Sequence, residues 1–161
     1  MKKHRLLMLM FASAAFIISC EKDAMMSGSN SQIIPDPVGT IIANVSNNYQ
    51  TEQYIFSAIP IQIDGANNFT TPNGWLPGLA IASVGEVAGI GNITSIPQTG
   101  WSSSVAVIPS YGYVVATPWQ ENGNIDYDHL QYARIYVVDY IVGTSGGIIG
   151  ATIKYQSPFI P

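Results

Sequence analysis

From residue 38 onward the chain is interrupted every few positions by Gly, Pro or Asn, and the apolar runs between interruptions alternate with a period of two. Side chains two apart share a face of a pleated strand, whereas a helix needs apolar positions three or four apart. Residues 39–46 set Ile41, Ala43 and Val45 against Thr40, Ile42 and Asn44, and residues 54–64 set Ile59, Ile61 and Ile63 against Pro60, Gln62 and Asp64. Short apolar runs follow at 79–84, 105–108 and 112–116, then longer alternating ones at 132–142 and 148–156. No stretch sustains a helical stripe for three turns. The pattern predicts an all-β fold: an antiparallel β-sandwich or barrel of about seven strands. The whole chain has 161 residues, so one such domain over 38–161 uses most of it. That length excludes a multi-domain enzyme and any large cofactor fold.

The last two runs predict a C-terminal hairpin over 132–156. Thr144-Ser145-Gly146-Gly147 lies between them, and paired glycines suit the positive-φ positions of a tight turn. With Ser145-Gly146 as the turn, Tyr136 faces Tyr155, Val138 faces Ile153 and Val142 faces Ile149, all on the core side. Asp139 and Lys154 then lie diagonally on the other face, within reach of a cross-strand charge contact. A slip of one residue exchanges the two faces.

The N-terminal twenty residues carry a different signal. Lys2, Lys3 and Arg5 precede the mostly apolar stretch Leu-Leu-Met-Leu-Met-Phe-Ala-Ser-Ala-Ala-Phe-Ile-Ile over residues 6–18. A basic region followed by a short apolar one is the secretory signal pattern. As a helix the stretch reaches roughly 20 Å, short of the ~30 Å hydrocarbon core, which points to export rather than a permanent span. It ends on Ile17-Ile18-Ser19-Cys20, which resembles the bacterial lipobox. That resemblance implies cleavage before Cys20, a diacylglyceryl group on its thiol and acylation of the new amino group. Cys20 is the only cysteine, which fits lipidation and leaves no partner for an intramolecular disulfide. Three acyl chains, at ~0.8 kcal/mol per buried methylene, would anchor the protein to a membrane permanently.

Residues 1–19 thus read as a signal peptide, and 20–37 as a lipidated cysteine and flexible tether rich in Ser, Gly, Asn and Pro. Met25-Met26 within it is incidental. Glu21-Lys22-Asp23 resembles the surface-export signal of Bacteroidetes lipoproteins. Cleavage removes three of the six basic residues and none of the ten acidic ones, taking the formal charge from −4 to −7. An acidic chain lacks the basic footprint that nucleic acid requires, and its surface would not hold anionic headgroups. Only 10% of the residues are charged, against about a quarter in an ordinary soluble domain, so few groups are available for acid–base chemistry.

Candidate sites are few. Gly143-Thr144-Ser145-Gly146-Gly147 looks like a serine-nucleophile motif, but an elbow leads into a helix and this segment leads into a strand. A small hydrolase would need His129, the mature chain's only histidine, beside Ser145. Asn122, Asn124, Asp126 and Asp128 alternate as weak candidate calcium ligands, without an EF-hand's glycine or closing glutamate. The bland reading, a polar loop between strands with His129 in it, is favoured, and no metal or other cofactor is expected. Trp75, Trp101 and Trp119 each lie beside Gly or Pro. Exposed near amides and carboxylates they could stack on sugar faces or anchor an interface; turned inward they would cap the open ends of a sandwich. Asn44-Val-Ser, Asn68-Phe-Thr and Asn92-Ile-Thr match the glycosylation sequon but read as turn chemistry.

The segment Ala133-Arg-Ile-Tyr-Val-Val-Asp-Tyr-Ile-Val-Gly-Thr-Ser-Gly-Gly-Ile-Ile-Gly-Ala-Thr-Ile-Lys-Tyr-Gln-Ser-Pro-Phe159 resembles the ending of small lipoproteins of gut Bacteroidetes, as does Gly89-Ile-Gly-Asn-Ile-Thr-Ser-Ile-Pro97. The resemblance extends over most of 36–161. It implies a domain of unknown function and supplies no catalytic residues. The expectation is a non-enzymatic protein anchored through Cys20 in the outer membrane and facing outward. Its role would be to bind a glycan, with Trp75, Trp101 and Trp119 on one surface, or to contact another envelope protein as an assembly subunit.

Overall fold

The computed structural model describes residues 32–47, 61–70, 80–121 and 124–161. Among them are nine strands: β1 (Ile41–Ser46), β2 (Gln62–Ile63), β3 (Asn68–Thr70), β4 (Ala80–Glu86), β5 (Trp101–Ser102), β6 (Ser104–Ala106), β7 (Tyr111–Glu121), β8 (Asn124–Val142) and β9 (Ile148–Gln156). All pair antiparallel, in a six-stranded sheet of order β1-β9-β8-β7-β4-β5 and a three-stranded sheet of order β2-β3-β6. Neither sheet closes, so the fold is a sandwich rather than a barrel. Two of the strands beyond the predicted seven, β3 and β5, have three and two residues, too short for an alternation to register. Asn68-Phe69-Thr70, read as turn chemistry, is β3 itself.

The main core lies between the sheets. Val45, Ile81, Tyr113, Val115, Ala133, Ile135, Val137, Ala151 and Ile153 from the larger sheet meet Ile61, Ile63, Phe69 and Val107 from the smaller side. Each of the Val, Ile and Phe side chains among them contributes roughly 1.5–3 kcal/mol by leaving water. The exposed Lys154–Asp36 ion pair contributes about 1 kcal/mol at most. Apolar burial therefore dominates. Phe69 and Tyr113 pack edge to face at 5.1 Å. The Tyr113 hydroxyl donates to the Ala106 carbonyl at 2.7 Å and accepts from the Ile108 N–H at 3.0 Å. Burial pushes its pKa up to about 12. Tyr140 donates to the Val107 carbonyl at 2.7 Å, so two hydroxyls fix the chain leaving β6.

The opposite face of the larger sheet has its own cluster, Ile90, Ile93, Val114 and Phe159, with Trp101, Tyr132 and Tyr136 packed against it. Residues 32–38, mostly read as tether, are held to the body beside this cluster. Ile34 N–H donates to Asn92 Oδ1, Asn92 Nδ2 donates to the Gln32 carbonyl, and Lys154 Nζ meets Asp36 at 2.6 Å. Gln156 Nε2 donates to the Val38 carbonyl. At Gly91 any Cβ would overlap the carbonyls of Ile34 and Pro35.

The C-terminal hairpin forms, with β9 at the expected bounds, but its register is corrected. The pairs are Tyr136–Lys154, Val137–Ile153, Asp139–Thr152, Tyr140–Ala151, Ile141–Gly150 and Val142–Ile148. Val138 and Ile149 are extra residues at shifts in the ladder, and each shift changes which parity faces inward. Odd-numbered Ala133, Ile135 and Val137 are buried in the main core, and past the shift Tyr140 packs there instead. Val138 is 38% exposed, Val142 58% and Ile149 46%. Tyr136 packs on the opposite face, and Lys154 pairs with Asp36 rather than Asp139.

Candidate functional site

The segment after β4 crosses the outer face of the larger sheet. Its 3-10 turn, Ile90–Asn92, and the following Ile93 drop onto Val114. The chain then rises through Ile96 and Pro97 and returns to the sheet at Trp101, opposite Ala82. The small partner leaves room for the indole. Trp101 Nε1 donates to the Pro97 carbonyl at 3.1 Å, which fixes the ring against its own loop. The Tyr132 ring, from β8, lies 6.4 Å from the indole at 43° between planes. Its backbone carbonyl accepts from Phe159 N–H at 2.7 Å, holding the C-terminal residues along the same wall.

Arg134 organises the base of this region. Its Nη1 donates to the Ile93 carbonyl at 2.5 Å, its Nε to Gln156 Oε1 at 2.8 Å, and its guanidinium lies 4.7 Å from the centre of the Phe159 ring. One cation thus ties the crossing loop, β9 and the C-terminal segment together, and burial pulls its pKa down.

Two adjoining hollows result. One, of about 310 Å³, has Trp101 and Tyr132 as walls, Ala80 and Ala116 as floor and Gln98 at the rim. The other, of about 390 Å³, continues past Tyr132 along Gln131, Pro158 and Ile160. Ile96, Leu130 and Tyr132 border both, making one groove. Among the described residues that line it there is no Asp, Glu, Lys, Arg or His. The groove can offer aromatic faces and amide hydrogen bonds, but no acid–base pair.

The candidates singled out by sequence are spread apart. Trp101 is half-buried in the groove wall rather than freely exposed. Trp119 pairs through its backbone with Asp126 on the far part of the β7–β8 ribbon. Cys20, Trp75 and Asn122 lie outside the described residues, as does the side chain of Trp119. Asn124, Asp126 and Asp128 do not converge. They belong to β8, whose ladder with β7 jumps from Asp126 to Leu130, so that residues 127–129 bulge out of the pairing. Asp126 is engaged internally: its Oδ1 accepts from Asp128 N–H at 2.9 Å, and its Oδ2 lies 2.6 Å from His129 Nδ1. That contact lowers the Asp126 pKa and raises that of His129. Among the described residues no three His, Cys, Asp or Glu side chains could share a metal ion.

The expected polar loop around residues 121–129 is corrected to a strand arm. Beyond a bulge at residues 127–129, β7 and β8 pair again from Trp119–Asp126 to Glu121–Asn124. Asn122 and Gly123, between the two strands in sequence, lie outside the described residues. The Ser145–His129 pairing a hydrolase would need is not made. His129 lies in the first third of β8 and Ser145 in the turn beyond its far end, thirteen residues of strand past His129. Gln98, Leu130, Tyr132 and Arg134 gave no sequence signal of their own. The nearest hint was Trp101 itself, singled out beside Gly100.

No family model matches the chain, and neither a curated protein nor a solved structure does.

Proposed function

We propose that this is a lipid-anchored protein of the bacterial cell envelope, held in the outer membrane through Cys20 and facing outward, with a non-enzymatic binding role exercised by the Trp101–Tyr132 groove. The observation that carries the binding role is the groove itself: a fixed indole and a phenol ring over a floor of two alanines, with no Asp, Glu, Lys, Arg or His among the described residues that line it. Each of its two hollows sits at the lower end of the ~300–1,000 Å³ typical of ligand sites, and a lining of apolar and aromatic side chains with a few polar groups is their usual chemistry. The anchor rests on the Ile17-Ile18-Ser19-Cys20 motif and its preceding apolar stretch. Among the described residues no helix is long and apolar enough to cross a membrane.

Two measurements test the two halves. Metabolic labelling with an alkyne fatty acid should mark the full chain, and Cys20→Ser should abolish the label; a label that survives Cys20→Ser refutes the anchor. Hydrogen–deuterium exchange on the full chain in detergent, with and without neutral oligosaccharides, proline-rich peptides or phosphatidylethanolamine–phosphatidylglycerol vesicles, should show protection at residues 96–101 and 130–132 with one of these classes. Protection by none of them refutes the groove. A second reading, an assembly subunit, draws on apolar side chains left exposed around β1, where Val38 is 98% and Ile42 66% exposed. It predicts self-association or a partner lost on Ile42→Ser.

A further inference from the structure

We infer that residues 33–42 form an apolar collar that rests on the lipid surface in which Cys20 is held, and so fix which end of the domain faces the membrane; this inference rests on the Cys20 anchor. Of the eleven large aliphatic side chains left exposed among the described residues, five fall within ten residues of chain: Ile33, Ile34, Val38, Ile41 and Ile42. Single exposed aliphatics are ordinary, whereas a cluster marks an interaction surface. Three of the five are displayed by fixed backbone. Asn92 accepts from the Ile34 N–H at 3.2 Å and donates to the Gln32 carbonyl at 3.0 Å, bracketing Ile33, which is 71% exposed. Val38 tips a turn in which the Thr40 N–H and hydroxyl both donate to the Pro37 carbonyl, and Gln156 Nε2 holds the Val38 carbonyl at 3.1 Å. Ile42 stands on β1, paired with Lys154 of β9. Contact need not order any of these segments.

What covers the collar follows from where the chain leaves the domain. Twelve residues separate Cys20 from Gln32, a reach of at most about 42 Å. A tether that short keeps the collar and the lipid surface together at an effective concentration on the order of millimolar, so a contact too weak to hold a dissolved partner is enough. Polarity along β1 changes in the sense this requires. Its outward face carries Ile42 at the tether end, then Asn44, which accepts from the Thr152 hydroxyl at 2.8 Å, and then Ser46. Over 32–46 the only ionisable side chain is Asp36, and Lys154 pairs with it at 2.6 Å. The collar therefore adds no unpaired charge to repel anionic headgroups, and its attraction is apolar, as for other interfacial segments. Val142 and Ile149 are exposed too, but beside the far end of β9, roughly 26 Å along the strand from Gln156.

The decisive experiment uses the lipidated full chain in phosphatidylethanolamine–phosphatidylglycerol vesicles. An acylated Cys20 offers no thiol, so Ile33→Cys, Val38→Cys, Ile42→Cys and Ser145→Cys each give one site for an environment-sensitive dye. Ser145, exposed in the turn before β9, is the comparison position. Dye at positions 33, 38 and 42 should shift its emission to the blue and be quenched by shallow doxyl lipids at least about twofold more strongly than dye at 145. Val38→Asp combined with Ile42→Asp should abolish the quenching of dye at position 33 while the chain still floats with the vesicles, because the anchor remains. If that double variant does not fold, the four single-label comparisons decide. An anchored chain with no quenching at positions 33, 38 and 42, or with equal quenching at 145, overturns the inference and leaves the anchor standing. A blue shift that grows with protein density and ignores the doxyl lipids gives the collar to a second copy and overturns it as well. A parent chain whose Cys20 takes the dye overturns the anchor, and the inference with it.

Discussion

Tyr113→Phe isolates the contribution of one buried hydroxyl. The ring is fully buried and packs on Phe69, and Phe fills nearly the same volume, so the change removes the oxygen and little else. Two hydrogen bonds go with it, one to the Ala106 carbonyl and one from the Ile108 N–H. Neutral hydrogen bonds contribute about 1 kcal/mol each net, and more when a partner is left unsatisfied, so a loss of about 2 kcal/mol is expected near neutral pH. The pH dependence is sharper. Folding raises the Tyr113 pKa from 10.0 to about 12 because burial disfavours the phenolate. A group whose pKa is raised by folding contributes its full stability below the unfolded value and loses it as pH rises through the folded one. A two-unit rise corresponds to about 2.7 kcal/mol, of which about 1.9 kcal/mol is lost by about pH 11.5. Urea unfolding of parent and variant should therefore give a stability difference that is flat below about pH 9 and shrinks by about 2 kcal/mol by about pH 11.5. Other alkaline titrations act on both proteins and cancel in the difference. A difference below about 0.5 kcal/mol at neutral pH, or one constant across the alkaline range, refutes the buried-hydroxyl account.

Three further predictions concern other parts of the fold. His129 should titrate above 6.5 because Asp126 Oδ2 lies 2.6 Å from its Nδ1, and Asp126→Asn should bring it back toward 6.5 by NMR; the contact's contribution is lost as pH rises through the His129 pKa and as it falls through that of Asp126. Gly150→Ala should cost about 1–3 kcal/mol in urea unfolding, because a Cβ there would overlap the Val45 carbonyl and crowd Ser46, and hydrogen exchange should accelerate first in β1. Thr117 is 1% exposed and its hydroxyl has no hydrogen-bond partner, so Thr117→Val, nearly the same shape, should be neutral or stabilise by up to about 1 kcal/mol in the same unfolding measurement.

What could be read from the sequence was the part governed by one-sided burial. Val45, Ile61, Ile63 and Ile153 sit in the main core where alternation puts them, and β9 begins and ends where its pattern does. Such strands carry their own face assignment. The β7–β8 ribbon was hidden because Pro118, Asn122, Asn124, Asp126 and Asp128 are all residues that strands disfavour. Pro118 is tolerated at the point where the ladder shifts register, which is where proline belongs in a sheet. β5 is made by its pairing with β4 and could not be seen in two residues. The groove was hidden for a different reason. Its walls come from positions as far apart as Ala80, Trp101, Tyr132 and Pro158, brought together by the fold and bordered by no local motif.

The register shift at Val138 connects the misread hairpin to the groove. Tyr132, Tyr136 and Tyr140 share one parity along β8, and in an unbroken strand all three would lie on one face. Placed all toward the main core, they would bring three phenols into a layer now filled by Ala133, Ile135 and Val137. Placed all outward, they would leave the β6–β7 connection without the hydroxyl that Tyr140 gives to the Val107 carbonyl. One extra residue resolves the conflict. Before it, Tyr132 and Tyr136 pack on the outer cluster, and Tyr132 forms the groove wall; after it, Tyr140 turns to the core. Deleting Val138 removes that extra residue and should force a choice between the two faces. If the β8–β9 pairing from Val142 holds its register, the Tyr132 side is the one displaced, and Trp101 should lose its aromatic neighbour. The expected readout is a red-shifted tryptophan emission together with increased exchange at residues 96–101. A deletion variant with unchanged emission and exchange would show that the shift at Val138 does not set the faces of β8.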